Sequence, residues 1–466
     1  MQTPENDTIS AIITPIGTGG IAVLRLSGPD SIRIADEIFR GSARLSDAPS
    51  HTVHFGWIEN DDRSVLDEVL VTVFRAPHSY TTEDIVEISC HGSVFVAGKI
   101  LGLIIAKGAR PAGPGEFTKR AFLNGRIDLS QAEAVADLIS ADSRASHELA
   151  LAQLRGTLSG KITGMRQRIL DVCSTLELEL DFSEEGMEFI RRDSLRDVVE
   201  DISRGITQLI DSFELGKIQR EGIRVVLAGA TNVGKSSILN ALVREDRAIV
   251  TEISGTTRDT IEETISLRGI KFNIIDTAGL RSTDDLIEVE GIKRTRQQIE
   301  FADLILLIVD PTQDIHFQED ADFVKRFIRI ENPQDVIIVI NKADLLTSER
   351  IECLQKGFST FPVVVTSANT GLGMDELEGK ISELVEGSQK EVRGESIMVS
   401  NLRQKEALTQ ALKSLEIVLQ GIEVGATPEL LAVDLRSSLT HLSHVVGLDI
   451  SEEVLNNVFS RFCIGK

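Results

Sequence analysis

The sequence predicts a multidomain protein of α/β and α class: an α+β N-terminal domain, a helical domain, and a doubly wound α/β domain inserted into the helical one. Its 466 residues suggest about three domains, at roughly 100–200 residues each. Short β-branched runs at 223–228, 271–276, 304–310, 335–340 and 362–366 alternate with helical stretches, the pattern of a parallel sheet covered on both faces. Helical periods with few breakers flank that segment on both sides.

From Thr8 to about Asn124, β-rich runs such as Ile21 to Leu26 and Val69 to Phe74 are punctuated by Gly and Pro, which predicts a mixed α+β domain. At Asp128 the texture changes. Ser130 and Glu133 read as a capping-box pair, and Val135, Leu138 and Ile139 begin a helical period that continues to about Asp181. A second helical block follows to about Gln219. Beyond Gly387 helical patterning resumes through 402–419, 428–446 and 451–462. The expected divisions are therefore 1–124, 125–220, 221–386 and 387–466. The last segment reads equally as the second half of one helical domain or as a separate C-terminal one.

Hydrophobic residues at 42% and charged residues at 26% exclude bulk disorder. A net charge of -23 and pI near 4.9 exclude a protein that grips nucleic acid by neutralising phosphates over its whole surface. A local basic patch or a partner subunit remains open for that role. Cys90, Cys173, Cys353 and Cys463 form no CxxC pair, as expected of a reduced intracellular protein. The first fifteen residues lack a basic segment followed by an apolar one, and no apolar run approaches the roughly 20 residues of a membrane span. These features predict a soluble, cytoplasmic protein with no membrane partner.

The chemistry is spelled in the middle segment. Gly229-Ala-Thr-Asn-Val-Gly234-Lys235-Ser236 follows a predicted strand and opens a predicted helix, the context in which G-x-x-x-x-G-K-S cradles phosphates on backbone amides. Asn232, Val233, Gly234, Lys235, Ser236 and Ser237 are the candidates there. Lys235 reaches the β/γ-phosphates and the Ser236 hydroxyl coordinates Mg²⁺. Asp276-Thr277-Ala278-Gly279 follows a further strand, with the Asp holding Mg²⁺ through water and Gly279 N–H near the γ-phosphate. Asn341-Lys342-Ala343-Asp344 ends another strand. Its Asp344 carboxylate can accept both N1–H and the 2-amino group of guanine, an edge that adenine lacks. Ser367-Ala368-Asn369 is the expected loop behind the base. GTP, not ATP, is the predicted substrate.

In this order and spacing the motifs resemble the translation-factor-related class of GTPases, with a Ras-like P-loop domain. Where Ras-like proteins place a water-orienting Gln, this chain has Leu280, which cannot hydrogen-bond, so catalysis must draw on other groups. Thr251, Glu252, Ile253, Ser254, Gly255, Thr256 and Thr257 are further GTP-binding candidates, and the stretch Gly255-Thr256-Thr257-Arg258-Asp259, with Asn232, resembles GTPases that use K⁺ where others use an arginine finger. That resemblance implies K⁺ ligands at Asn232, Thr251, Ile253 and Thr256, and a Mg²⁺ ligand at Thr257. Arg258 is a finger candidate on its residue type alone, and a solvated loop charge is the competing reading.

Four further stretches, AVLRLS at 22–27, PGEFTKRAFLN at 114–124, DLSQAEA at 128–134 and the terminal FCIGK at 462–466, resemble the MnmE (TrmE) family of tRNA-modification GTPases over essentially the full length. The resemblance implies an N-terminal folate-binding dimerisation domain, hence a homodimer, and a helical domain built from both sides of the inserted GTPase. It implies a heterotetramer with the flavoprotein MnmG (GidA). Together the pair installs a carboxymethylaminomethyl-type group at C5 of the wobble uridine of certain tRNAs, with 5-formyl- or methylene-tetrahydrofolate supplying one carbon.

By the same resemblance Arg25, Glu87, Arg126 and Lys466 contact folate, and Glu288 positions the attacking water, with Glu290 a nearby competitor. The family often has Lys at position 126, and commonly Pro where this chain has Thr231. Cys463 follows an amphipathic helix bearing Val454, Leu455, Val458, Phe459 and Phe462. It is a candidate nucleophilic or redox thiol, or a small buried hydrophobe. Two rival readings are a ribosome-assembly GTPase and a regulatory GTP switch without modification chemistry.

Overall fold

The computed structural model describes residues 7–181, 191–229, 232–245, 261–267, 270–276, 302–312, 336–358, 361–387 and 397–466. The chain divides into two compact units. One comprises Met1–Ser140, Leu151–Thr207 and Glu406–Lys466; the other comprises Ala141–Ala150 and Gln208–Lys405.

The first unit contains a seven-stranded sheet built from β1 (Ile9–Ile12), β2 (Ile21–Ser27), β3 (Phe39–Gly41), β4 (Thr52–Glu59), β5 (Val65–Phe74), β6 (Ile85–His91) and β7 (Arg110–Pro111), in the order β3-β4-β5-β6-β2-β1-β7. All neighbours are antiparallel except β1 and β7. Alternation sends Leu24, Leu26, Val69, Val71, Val73, Val86 and Ile88 into one core, where Ile34, Ile38, Ile100 and Ile104 of the helices Ser31–Ile38 and Val94–Ala106 meet them.

In the same unit, helix Pro428–Val446 packs along helix Thr157–Asp181, with Arg166 Nε donating to Ser443 Oγ at 3.0 Å and an ion pair between Arg436 and Glu177. The helical segments before and after the middle of the chain thus pack against one another. The period expected to run to Asp181 is three helices, Leu129–Ser140, Arg144–Leu154 and Thr157–Asp181. The capping box also sits elsewhere than expected. Asp128 Oδ1 accepts the Gln131 N–H and Gln131 Oε1 accepts the Asp128 N–H, both at 3.0 Å, because the helix starts two residues earlier than a cap at Ser130 requires.

The second unit is a six-stranded sheet of β8 (Ile223–Ala228), β9 (Ile261–Leu267), β10 (Ile270–Asp276), β11 (Leu304–Val309), β12 (Val336–Ile340) and β13 (Val363–Val365), ordered β13-β12-β11-β8-β10-β9. Alternate residues feed two cores: Val225, Leu227, Leu306, Ile337 and Val339 face one side, Val226, Ile305, Leu307, Ile338 and Ile340 the other. Burial on both faces explains the uninterrupted apolar runs. One strand departs from the parallel sheet expected: β9 is antiparallel to β10. Among the described residues no helix is long and apolar enough to cross a membrane.

Candidate functional site

Parallel strands deliver their carboxyl ends to one edge of the sheet, and the motifs follow those ends. After β8, the chain turns at Gly229 and enters the helix Lys235–Glu245. Asn232 lies in the left-handed region at φ 66° and is exposed. Gly234 has φ 100°, and a Cβ there would stand 2.2 Å from Asn341 Nδ2, so only glycine fits. Lys235 is buried, its Nζ donating to the Gly229 carbonyl at 2.8 Å, while Ser236 and Ser237 are exposed at the start of the helix.

Asn341, at the end of β12, is 2% exposed. Its Nδ2 donates to the Val233 carbonyl at 2.9 Å and its Oδ1 accepts the Ala368 N–H at 3.2 Å. One amide therefore ties the phosphate loop to the loops after β12 and β13. Ala343 N–H donates to the Thr366 carbonyl at 3.1 Å. The buried Ser367 hydroxyl donates to Asp344 Oδ1 at 2.6 Å, leaving the rest of that exposed carboxylate open. Asn369 is exposed.

Sequence reading missed Asp310. It follows β11 with a side chain 1% exposed and pairs with Lys342 Nζ at 2.6 Å, while Thr312 donates both N–H and O–H to its other oxygen. Burial pushes its pKa up, but the hydrogen bonds from Lys342 and Thr312 outweigh that and hold it below the usual range. An acid directly after an apolar strand and opening the triplet Asp310-Pro311-Thr312 was the available signal.

Asp276 ends β10, in register with Leu227 of β8. Its side chain, and Thr231, Thr251, Glu252, Ile253, Ser254, Gly255, Thr256, Thr257, Arg258, Thr277, Ala278, Gly279, Leu280, Glu288 and Glu290, lie outside what is described.

A second cluster forms in the other unit. Arg25 on β2 is in register with Glu87 on β6, and its Nη2 lies 2.7 Å from Glu87 Oε1. The Arg25 guanidinium sits 5.3 Å from the Tyr80 ring centre and 5.5 Å from that of Phe117. Arg126 lies 4.8 Å from the same Tyr80 ring and donates to the Tyr80 carbonyl at 2.8 Å. Tyr80, the chain's one tyrosine, thus stands between two predicted ligand contacts, Arg25 and Arg126, though the sequence did not single it out. Its hydroxyl hydrogen-bonds with Thr118 Oγ1 at 2.9 Å.

The terminal segment docks beside this cluster. Ile464 bridges Pro114, and the Phe117 N–H donates to the Lys466 main-chain oxygen at 3.1 Å. Gly465 has φ 96°, with Ile12 O 2.7 Å from where a Cβ would stand. The preceding helix, Glu452–Ser460, buries Leu455 and Phe459, and Phe462 beyond it is buried too; Val454 points outward. Cys463 is exposed, so the reading as a buried hydrophobe fails.

The doubly wound sheet, with a G-K-S loop and an N-K-x-D loop joined by Asn341, defines a P-loop protein of the GTPase class. Residues 8–126 match the family model "GTP-binding protein TrmE N-terminus", and residues 129–463 match the "MnmE helical domain". The tRNA modification GTPase MnmE of Christiangramia forsetii is 43% identical, covering 99% of this chain and 99% of its own. Those of Cytophaga hutchinsonii and Geobacillus thermodenitrificans are each 44% identical, covering 100% and 99% of this chain and 99% and 100% of their own. The chain belongs to the family of the tRNA modification GTPase MnmE.

Proposed function

We propose that this protein hydrolyses GTP in the service of tRNA modification. In this reading a homodimer joins the flavoprotein MnmG (GidA) in a heterotetramer. The assembly, placed in the cytoplasm, installs the carboxymethylaminomethyl group at C5 of the wobble uridine of certain tRNAs. The observation that supports the nucleotide half most directly is the Asn341 amide, which holds the phosphate loop and the base loops in one rigid arrangement.

Lys235 leaves the Gly229 carbonyl for the β/γ-phosphates, and amides at the helix N-terminus complete the cradle. Asp344, oriented by Ser367, reads the guanine edge. The exposed Ser236 and Asn232 suit a cation-rich phosphate site, with Thr257 as a further Mg²⁺ ligand and Thr251, Ile253 and Thr256 as K⁺ ligands. When bound, Mg²⁺ and K⁺ neutralise the charge that develops in phosphoryl transfer. Glu288 positions water, in place of the Gln that Leu280 replaces.

The N-terminal cluster suits a reduced folate. Glu87 is a carboxylate able to accept two N–H groups from a pterin edge, Arg25 and Tyr80 offer stacking faces, and Arg126 and Lys466 offer cations for carboxylates. Bound 5-formyl- or methylene-tetrahydrofolate supplies the one-carbon unit. Cys463, exposed beside this site, is retained as a candidate thiol. The working divisions are 1–124 for folate and dimerisation, 125–220 and 387–466 for the helical domain, and 221–386 for the GTPase.

The test combines the protein and its flavoprotein partner with unmodified tRNA, GTP, K⁺ and methylene-tetrahydrofolate, followed by mass spectrometry of the wobble uridine. An unchanged uridine overturns the reading. Equal hydrolysis rates in K⁺ and Na⁺ at matched ionic strength would remove the K⁺ element and return Arg258 to candidacy.

A further inference from the structure

A cavity of about 540 Å³ opens in the N-terminal unit, lined in part by His51, Phe74, His78, Ser79, Asn124 and Arg126. It is an open depression in the surface and not an enclosed pocket. No carboxylate lines it, although the chain carries 72 acidic residues against 49 Lys and Arg. Two of the eight histidines and an arginine converge there instead. Such a lining favours an anion over a cation.

Tyr80 also lines the cavity, and it joins this space to the Arg25–Glu87 pair. Its ring centre is 4.8 Å from the Arg126 guanidinium and 5.3 Å from that of Arg25. A ligand whose ring is held at Arg25 and Glu87 therefore has the cavity one tyrosine away.

We propose that this cavity binds the γ-linked glutamyl chain of the folate, so that the protein selects polyglutamylated over monoglutamylated tetrahydrofolate. This rests on the folate reading of the neighbouring cluster and adds a substrate form to it. Each added glutamyl residue brings one more carboxylate. The Arg126 fork, the imidazoles of His51 and His78, and the Ser79 and Asn124 side chains provide the donors that carboxylates require. His51 is already oriented: its Nδ1 pairs with Ser50 Oγ at 2.8 Å, and its ring meets Phe74 edge-on at 5.3 Å.

The test is calorimetric titration of the full-length protein with 5-formyl-tetrahydrofolate as mono- and triglutamate. The triglutamate should bind at least tenfold tighter. The double variant His51→Asn, His78→Glu should keep monoglutamate affinity and lose that advantage. Both histidines are exposed, Asn tolerates the left-handed backbone of position 51 (φ 63°), and surface changes of this kind leave folding nearly unaltered.

Equal wild-type affinities for the two forms, or an advantage that survives in the variant, overturns the proposal. A variant that binds unmodified tRNA more weakly while keeping the chain-length advantage marks the cavity as a nucleic-acid surface, which also overturns it. Absence of binding by either folate to the wild type sinks the folate reading itself, a result distinct from equal binding.

Discussion

Lys342 Nζ stands 2.6 Å from Asp310 Oδ2 and 3.2 Å from the main-chain oxygen of Asn232, so one ammonium joins the ends of β11 and β12 to the phosphate loop. Asp310→Asn keeps the shape but removes the charge that anchors Lys342. We expect GDP affinity to fall about tenfold, or ~1.4 kcal/mol, the scale of one charge-assisted hydrogen bond. Titration with a fluorescent GDP measures this, and unchanged affinity would mean that Lys342 needs no anchor.

The same pair sets a pH dependence. Asp310 has a folded-state pKa below its ordinary value, so the unfolded chain takes up the proton more readily. The stabilisation is complete above the unfolded value of about 3.9 and is lost as pH falls through the folded value. The difference in thermal midpoint between wild type and Asp310→Asn should stay constant from about pH 5 to 8 and narrow below about pH 4. A gap that widens in acid contradicts this sign.

Ser367 fixes one oxygen of Asp344 at 2.6 Å, which aims a double acceptor at the base. Asn at position 344 offers one acceptor and one donor, the complement of the 2-oxo edge of xanthine. Asp344→Asn should lower kcat/KM for GTP by about 100-fold, the worth of two charge-assisted bonds, and make xanthosine triphosphate the better substrate. Retained preference for GTP in a competition assay would remove Asp344 from base recognition.

Gly465 lies at φ 96° with the Ile12 oxygen 2.7 Å from a would-be Cβ. Gly465→Val should lift the terminal segment from Pro114 and Phe117, weaken 5-formyl-tetrahydrofolate binding about tenfold, and leave GTP hydrolysis unchanged. Parallel calorimetry and phosphate release check both halves; undiminished folate binding shows that the docked tail does not support the site.

Much of the fold was legible because its cause is local. β11 and β12 announce themselves as LILLIV and VIIVI, since strands buried on both faces must be apolar throughout. IEETISL, by contrast, is polar at alternate positions, and that is why β9 escaped notice and the sheet was expected to be wholly parallel. The cap was misread because Ser130–Glu133 and Asp128–Gln131 both have the i, i+3 spacing, and only the helix start distinguishes them.

The sequence by itself determined the nucleotide chemistry, because a phosphate loop works through consecutive backbone amides and needs glycines and a lysine at set intervals. Tertiary structure alone decided that Arg25 meets Glu87 across 62 residues, that Tyr80 stands between Arg25 and Arg126, and that Asp310 holds Lys342. Those relations depend on strand register and on which loops share a sheet edge. The interactions that set both are spread along the chain and leave no short motif to read.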